Sequence, residues 1–112
     1  MKFEIYLTRG QYFFRLRAGN GRTLLNSIPF PEKETCLNAL IYLQKTSADG
    51  SRYERKKTEQ KDQLVMVDAE GKIIAYGSTY SSQASYAQGL YTLSTFCRIA
   101  AIVDIDRTIS AK

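Results

Sequence analysis

From Lys2 to Leu7, apolar Phe3, Ile5 and Leu7 alternate with Lys2, Glu4 and Tyr6, the period-2 pattern of a strand with one buried face. A second alternation places Tyr12, Phe14, Leu16 and Ala18 on one side and Phe13, Arg15 and Arg17 on the other. Asn20-Gly21 then supplies the positive φ angles of a tight hairpin turn, and residues 22–28 return as a third strand. Pro31, Glu32 and Glu34 announce a helix, because proline is pre-set for helical φ and acidic side chains favour the positive end of the helix dipole. Cys36, Leu37, Leu40, Ile41 and Leu43 then form one apolar stripe.

Displaced by fifty positions, the chain aligns with itself without a gap. Glu4 meets Glu54, Gly21 meets Gly71, Leu40 meets Leu90 and Leu43 meets Leu93. Class matches more widely: Phe3 with Tyr53, Phe14 with Leu64, Leu16 with Met66, Arg22 with Lys72, Leu24 with Ile74, Phe30 with Tyr80. A fixed period of this kind marks a repeated supersecondary unit. In the second unit Glu70-Gly71 repeats the turn, Ser81 and Ser82 are capable helix caps, and Tyr86, Ala87, Leu90, Tyr91 and Leu93 form the stripe. Gly89 in mid-helix costs about 1 kcal/mol against alanine, which points to a close approach between that helix and the sheet. Val103 and Asp104 echo Tyr53 and Glu54, so residues 101–106 begin a third copy and pair with a strand of a neighbouring unit. The expected fold is α+β: two tandem β-β-β-α repeats (1–50 and 51–100) plus a closing strand, an antiparallel sheet with both helices packed on one face.

At 112 residues the chain is expected to form a single domain. A formal net charge of +5 favours acidic partners but falls short of a dense nucleic-acid-binding tail. Cys36 and Cys97 form no CxxC and read as reduced, buried thiols of a cytoplasmic protein. The alternating N-terminus is not a signal peptide, and the most apolar late stretch, residues 97–105, is too short to span a membrane.

The chain resembles the YegP-like family of small tandem β-β-β-α proteins. The resemblance is carried by FEIY at 3–6, FRLRAGNGRTLL at 14–25, SADGSRYERK at 47–56 and YSSQASYAQGL at 80–90. Two departures stand out: Asn38-Ala39 and Gln88-Gly89 replace a customary Asn-Gly in the helices, and the second hairpin lacks Asn-Gly. The resemblance implies two units, from one chain or two subunits, building a continuous sheet with exchanged C-terminal strands. It implies no reaction and no cofactor.

The sequence contains no histidine, which removes the usual acid-base residue near neutral pH and the commonest metal ligand, so Ser-His-Asp and Cys-His arrangements are impossible. Gly19-Asn20-Gly21 opens no phosphate-loop motif and reads as a hairpin. Asp104 and Asp106 share a strand face and are a weak metal candidate against a solvated edge. Tyr80, Ser81 and Ser82 at a helix start suit a small anion, although capping alone accounts for the serines. The better candidate is the second sheet face, where Tyr6, Phe13, Arg15 and Arg17 lie with Lys56 and Lys57 adding charge. Aromatic side chains interleaved with arginines suit single-stranded nucleic acid. The equivalent positions Gln63, Val65 and Val67 suit a protein contact instead. The expectation is a non-catalytic interaction module that binds a protein partner or itself as a homodimer, with nucleic-acid binding as the alternative and no metal.

Overall fold

A computed structural model of the chain describes residues 1–57, 59 and 61–105. Three strands, β1 (Lys2–Thr8), β2 (Gln11–Arg17) and β3 (Thr23–Ser27), lead into α1 (Lys33–Thr46). After a short 3-10 turn come β4 (Tyr53–Lys57), β5 (Asp62–Val67), β6 (Ile73–Tyr80) and α2 (Gln83–Phe96). A second 3-10 turn precedes β7 (Ala101–Asp104), and Asp106, expected in this strand, lies outside the described residues.

The sheet has seven strands in the order β4-β5-β6-β3-β2-β1-β7. It is mixed, and the expectation of a purely antiparallel sheet is corrected at one edge, where β7 runs parallel to β1 with Phe3 beside Ile102 and Glu4 beside Val103. The parallel pairing follows from the connection: β7 arrives over α2 from the opposite half of the sheet, and a helical crossover, unlike a tight turn, leaves strand direction open. This register also turns Val103 to the face opposite Phe3 and Tyr53, so Ile102 takes the core-side place expected for Val103. At the centre β3 and β6 are antiparallel, with Asn26 opposite Tyr76.

The core lies between the sheet and the two helices. Phe3, Ile5, Phe14, Leu16, Leu25, Leu64 and Met66 meet Cys36, Leu40, Leu43, Tyr86, Leu93 and Cys97 in one buried cluster drawing on both halves of the chain. The helical stripes are narrower than expected: Ile41 is exposed, and so are Ala87 and Tyr91, the latter 62% accessible. At ~100° per residue, all three point well away from the direction shared by Cys36, Leu40 and Leu43 in α1 and by Tyr86 and Leu93 in α2, so they fall outside the stripe that faces the sheet. Leu7, at the outer end of β1, is likewise exposed. Gln44 Nε2 donates to the carbonyls of Cys97 and Ala100, both at 2.9 Å, tying α1 to the turn that launches β7.

The turns follow from backbone preferences. In both long hairpins only the glycine has positive φ, 85° at Gly21 and at Gly71. Gly21 N–H donates to the Ala18 carbonyl at 2.9 Å and Gly71 N–H to that of Asp68 at 3.0 Å, the pattern of a three-residue loop closed by a left-handed residue. Asn20 therefore does not share the positive φ expected of it, and Glu70-Gly71 is as good a turn as Asn20-Gly21. The expected helix start also shifts: Glu32 is the N-cap of α1 without a side-chain cap bond, which leaves Pro31 outside the first turn. In α2 the cap is Ser82, whose hydroxyl accepts from Ser85 N–H at 3.1 Å.

Candidate functional site

Strand alternation sends a row of side chains to the face away from the helices. The cross-strand partners are Val103, Glu4, Arg15, Asn26, Tyr76, Val65 and Glu54, spanning the sheet from β7 to β4. No helix among the described residues covers this row, because both pack on the opposite side. Tyr6, Phe13 and Arg17 flank it from β1 and β2.

Of the candidate residues, Tyr6, Phe13, Arg15 and Arg17 are brought together. Tyr6 and Phe13 stack with ring centroids 5.5 Å apart and planes 16° from parallel, and the Arg15 guanidinium carbon lies 4.5 Å from the Tyr6 centroid. The Tyr6 hydroxyl donates to Asn26 Oδ1 at 3.0 Å. Glu4 is the hub that sequence reasoning missed. It is only 7% accessible, and its Oε1 accepts from Arg15 Nε at 2.8 Å and Arg17 Nε at 3.2 Å, with Lys2 Nζ 3.6 Å from Oε2. Burial pushes the Glu4 carboxyl up, but the hydrogen bonds and positive charges of Arg15 and Arg17 outweigh it and leave the group below its ordinary range. Arg17 also donates to the Gly21 carbonyl at 2.7 Å. Both guanidinium groups are thus held by protein acceptors, and Tyr6 is engaged by Phe13 and Arg15. The sequence signal was present in the cross-strand spacing, since a hairpin centred on residues 9 and 10 sets Glu4 opposite Arg15.

Lys56 and Lys57 are not part of this cluster. They lie on β4, four strand steps from β2, or about 19 Å at ~4.8 Å per step. Their positions also alternate: Lys56 opposes Gln63 on the outer face, whereas Lys57 opposes Asp62 on the helical side. On the half of the outer face built by β5 and β6, Gln63, Val65 and Val67 share the face with Tyr76 and bring no arginine to it. Val65 is 1% accessible there, and its neighbour Tyr76 is 37% accessible.

The other candidates resolve plainly. Asp104 lies on the helical side and forms an ion pair with Lys33 at 2.7 Å. Among the described residues no group of three or more Cys, Asp or Glu is placed to hold a metal ion. Cys36 and Cys97 are free and buried, and burial pushes each thiol up to about 12, helped at Cys36 by the charge of Asp104. Among the described residues no helix is long and apolar enough to cross a membrane.

A family model described as a domain of unknown function, DUF1508, matches residues 8–54. A UPF0339 protein encoded in the ptx operon 5' region of Stutzerimonas stutzeri is 30% identical over 105 residues, covering 92% of this chain and 95% of the relative. The chain belongs to the YegP-like family, UPF0339. Its fold agrees with solved members: the UPF0339 protein SO3888 of Shewanella oneidensis superposes with a TM-score of 0.85 at 25% identity over 95% of this chain and 92% of that one. YegP of E. coli, a protein of unknown function, superposes with a TM-score of 0.83 at 24% identity over 94% and 92%. The family description names no activity.

Proposed function

We propose that this YegP-like chain is a non-catalytic, cytoplasmic interaction module, one domain of two tandem β-β-β-α copies plus β7, that self-associates through its uncovered sheet face. The supporting observation is the row from Val103 to Glu54, which no helix covers and on which Tyr76 and Val103 are each 37% accessible. Such a face, pre-ordered by the Glu4 hub, suits the same face of a second copy, which would form a closed, self-complementary pair across it. The tandem origin is supported by the matching turns at Gly21 and Gly71 and by the central pairing of Asn26 with Tyr76, which are themselves fifty positions apart. Two free thiols suit a reducing compartment.

Sheet face, rather than strand exchange between subunits, is the proposed contact, because β7 already pairs with β1 of its own chain. Nucleic-acid binding is the weaker reading, since Arg15 and Arg17 both spend donors on Glu4. Sedimentation from micromolar to millimolar concentration tests the proposal. The wild-type chain is expected to dimerise, and Tyr76→Asp and Phe13→Asp to stay monomeric with unchanged circular dichroism. A wild-type chain that is monomeric throughout overturns it, and salt-sensitive binding of a labelled single-stranded oligonucleotide would favour the alternative.

A further inference from the structure

Two clefts lie on the helical side, each between one helix, the strand leading into it and the hairpin of the other half. The first, about 470 Å³, is bounded by Arg22, Leu24, Ser78, Tyr80, Gln88 and Thr92. The second, about 450 Å³, is bounded by Lys72, Ile74, Ile28, Phe30, Asn38 and Tyr42, the residues fifty positions away in the same order.

The positions match, but the chemistry does not. Ile28 and Phe30 show that the frame tolerates apolar side chains, so folding does not demand a hydroxyl at Ser78 or on the Tyr80 ring. In the second cleft Asp68 and Glu70 stand beside Lys72. The first cleft has no carboxylate in its lining. Among the described residues the Arg22 guanidinium, the Tyr80 hydroxyl and the Gln88 amide have no hydrogen-bond or ion-pair partner. Tyr80 is also fixed in place: its ring meets Tyr86 edge-on at 5.8 Å, and its hydroxyl end lies over Gly89. Leu24 and Leu93 add an apolar wall suited to the C–H face of a sugar ring.

We propose that the Arg22 cleft binds a small polyhydroxylated anion, a sugar phosphate or sugar acid. The acid group sits at Arg22 and the hydroxyls at Ser78, Tyr80, Gln88 and Thr92. This site is separate from the sheet face and stands or falls independently of self-association.

Titration of the ¹⁵N-labelled chain with glucose 6-phosphate, glucuronate, glucose and inorganic phosphate, followed by amide chemical shifts, tests it. One of the two sugar anions is expected to shift Ser78, Gln88 and Gly89 saturably, at lower concentration than glucose or phosphate. Which anion does so identifies the acid group. Arg22→Gln, which removes a side chain without protein partners, is expected to weaken that binding about tenfold with the spectrum otherwise intact. Lys72→Gln is expected to leave it unchanged. Absence of saturable shifts with both sugar anions, or equal affinity in Arg22→Gln, overturns the proposal.

Discussion

The Tyr80 phenol occupies the space in which a side chain at Gly89 would begin: a Cβ built there collides with the Tyr80 hydroxyl and the ring carbon that bears it. The close approach signalled by a mid-helix glycine is therefore between α2 and one aromatic side chain from the end of β6. Fifty positions earlier the pair is Phe30 and Ala39, without the hydroxyl and with the methyl. Gly89→Ala is expected to destabilise the fold by about 1–3 kcal/mol through overpacking, despite the ~1 kcal/mol gain in helix propensity. Tyr80→Phe in the same chain shortens the ring that must withdraw, so the double variant is expected to lose less than the two single losses added together. Urea denaturation of all four chains measures this coupling, and strict additivity would refute it.

Arg9 is the one non-glycine among the described residues with positive φ, at 53°, followed by Gly10 at 77°. Thr8 pairs with Gln11, so these two residues form the whole β1–β2 loop. A two-residue loop with both φ values positive matches the twist of the flanking strands, but an arginine pays a steric penalty there that asparagine largely avoids. Arg9→Asn is expected to stabilise the chain by about 0.5–1 kcal/mol, read as a higher urea midpoint with unchanged slope. A lower midpoint would show that the arginine makes an offsetting contribution.

What could be read from the sequence follows from the range of the forces involved. Phe3, Ile5, Phe14 and Leu16 were legible because alternation along a strand fixes its buried face locally. The glycine turns were legible for the same reason, although the loop type was not. The parallel β7 was hidden because its direction is set by a crossover over α2, and the separation of Lys56 from Arg15 was hidden because it depends on strand order. Alternation put Glu4 on the polar side of β1 without naming a partner for it. Its burial arises only when Arg15 and Arg17, eleven and thirteen residues on, fold over it. The cleft at Arg22 combines a hairpin of one half with a helix of the other, a juxtaposition that neither stretch encodes alone.

The Glu4 hub carries a defined pH dependence. Its carboxyl lies below the ordinary value of 4.5 in the folded chain, so its contribution to stability is present above about pH 4.5 and is lost as pH falls through the folded value. Glu4→Gln keeps the shape but removes the charge that both guanidinium groups face. At pH 7 it is expected to cost about 1.5–3 kcal/mol, the range for hydrogen bonds to charged groups. Thermal melts between pH 3 and pH 7 should show the gap between wild type and Glu4→Gln narrowing toward acid. A constant gap would place the cost in packing rather than charge.

Gln44 offers a further test of how the two halves are held together. Its amide satisfies the carbonyls of Cys97 and Ala100, which frame the turn into β7. Gln44→Leu fills similar volume but leaves both acceptors without their donor, and is expected to cost about 1–3 kcal/mol. The loss should be felt first at β7, whose only strand neighbour among the described residues is β1. Amide hydrogen exchange at Ile102 and Val103 should then accelerate more than at Leu64 and Met66 in β5, because edge strands open locally while the central sheet opens only with the whole fold. Equal acceleration in both strands would mean that the Gln44 bonds stabilise the fold globally rather than anchoring β7.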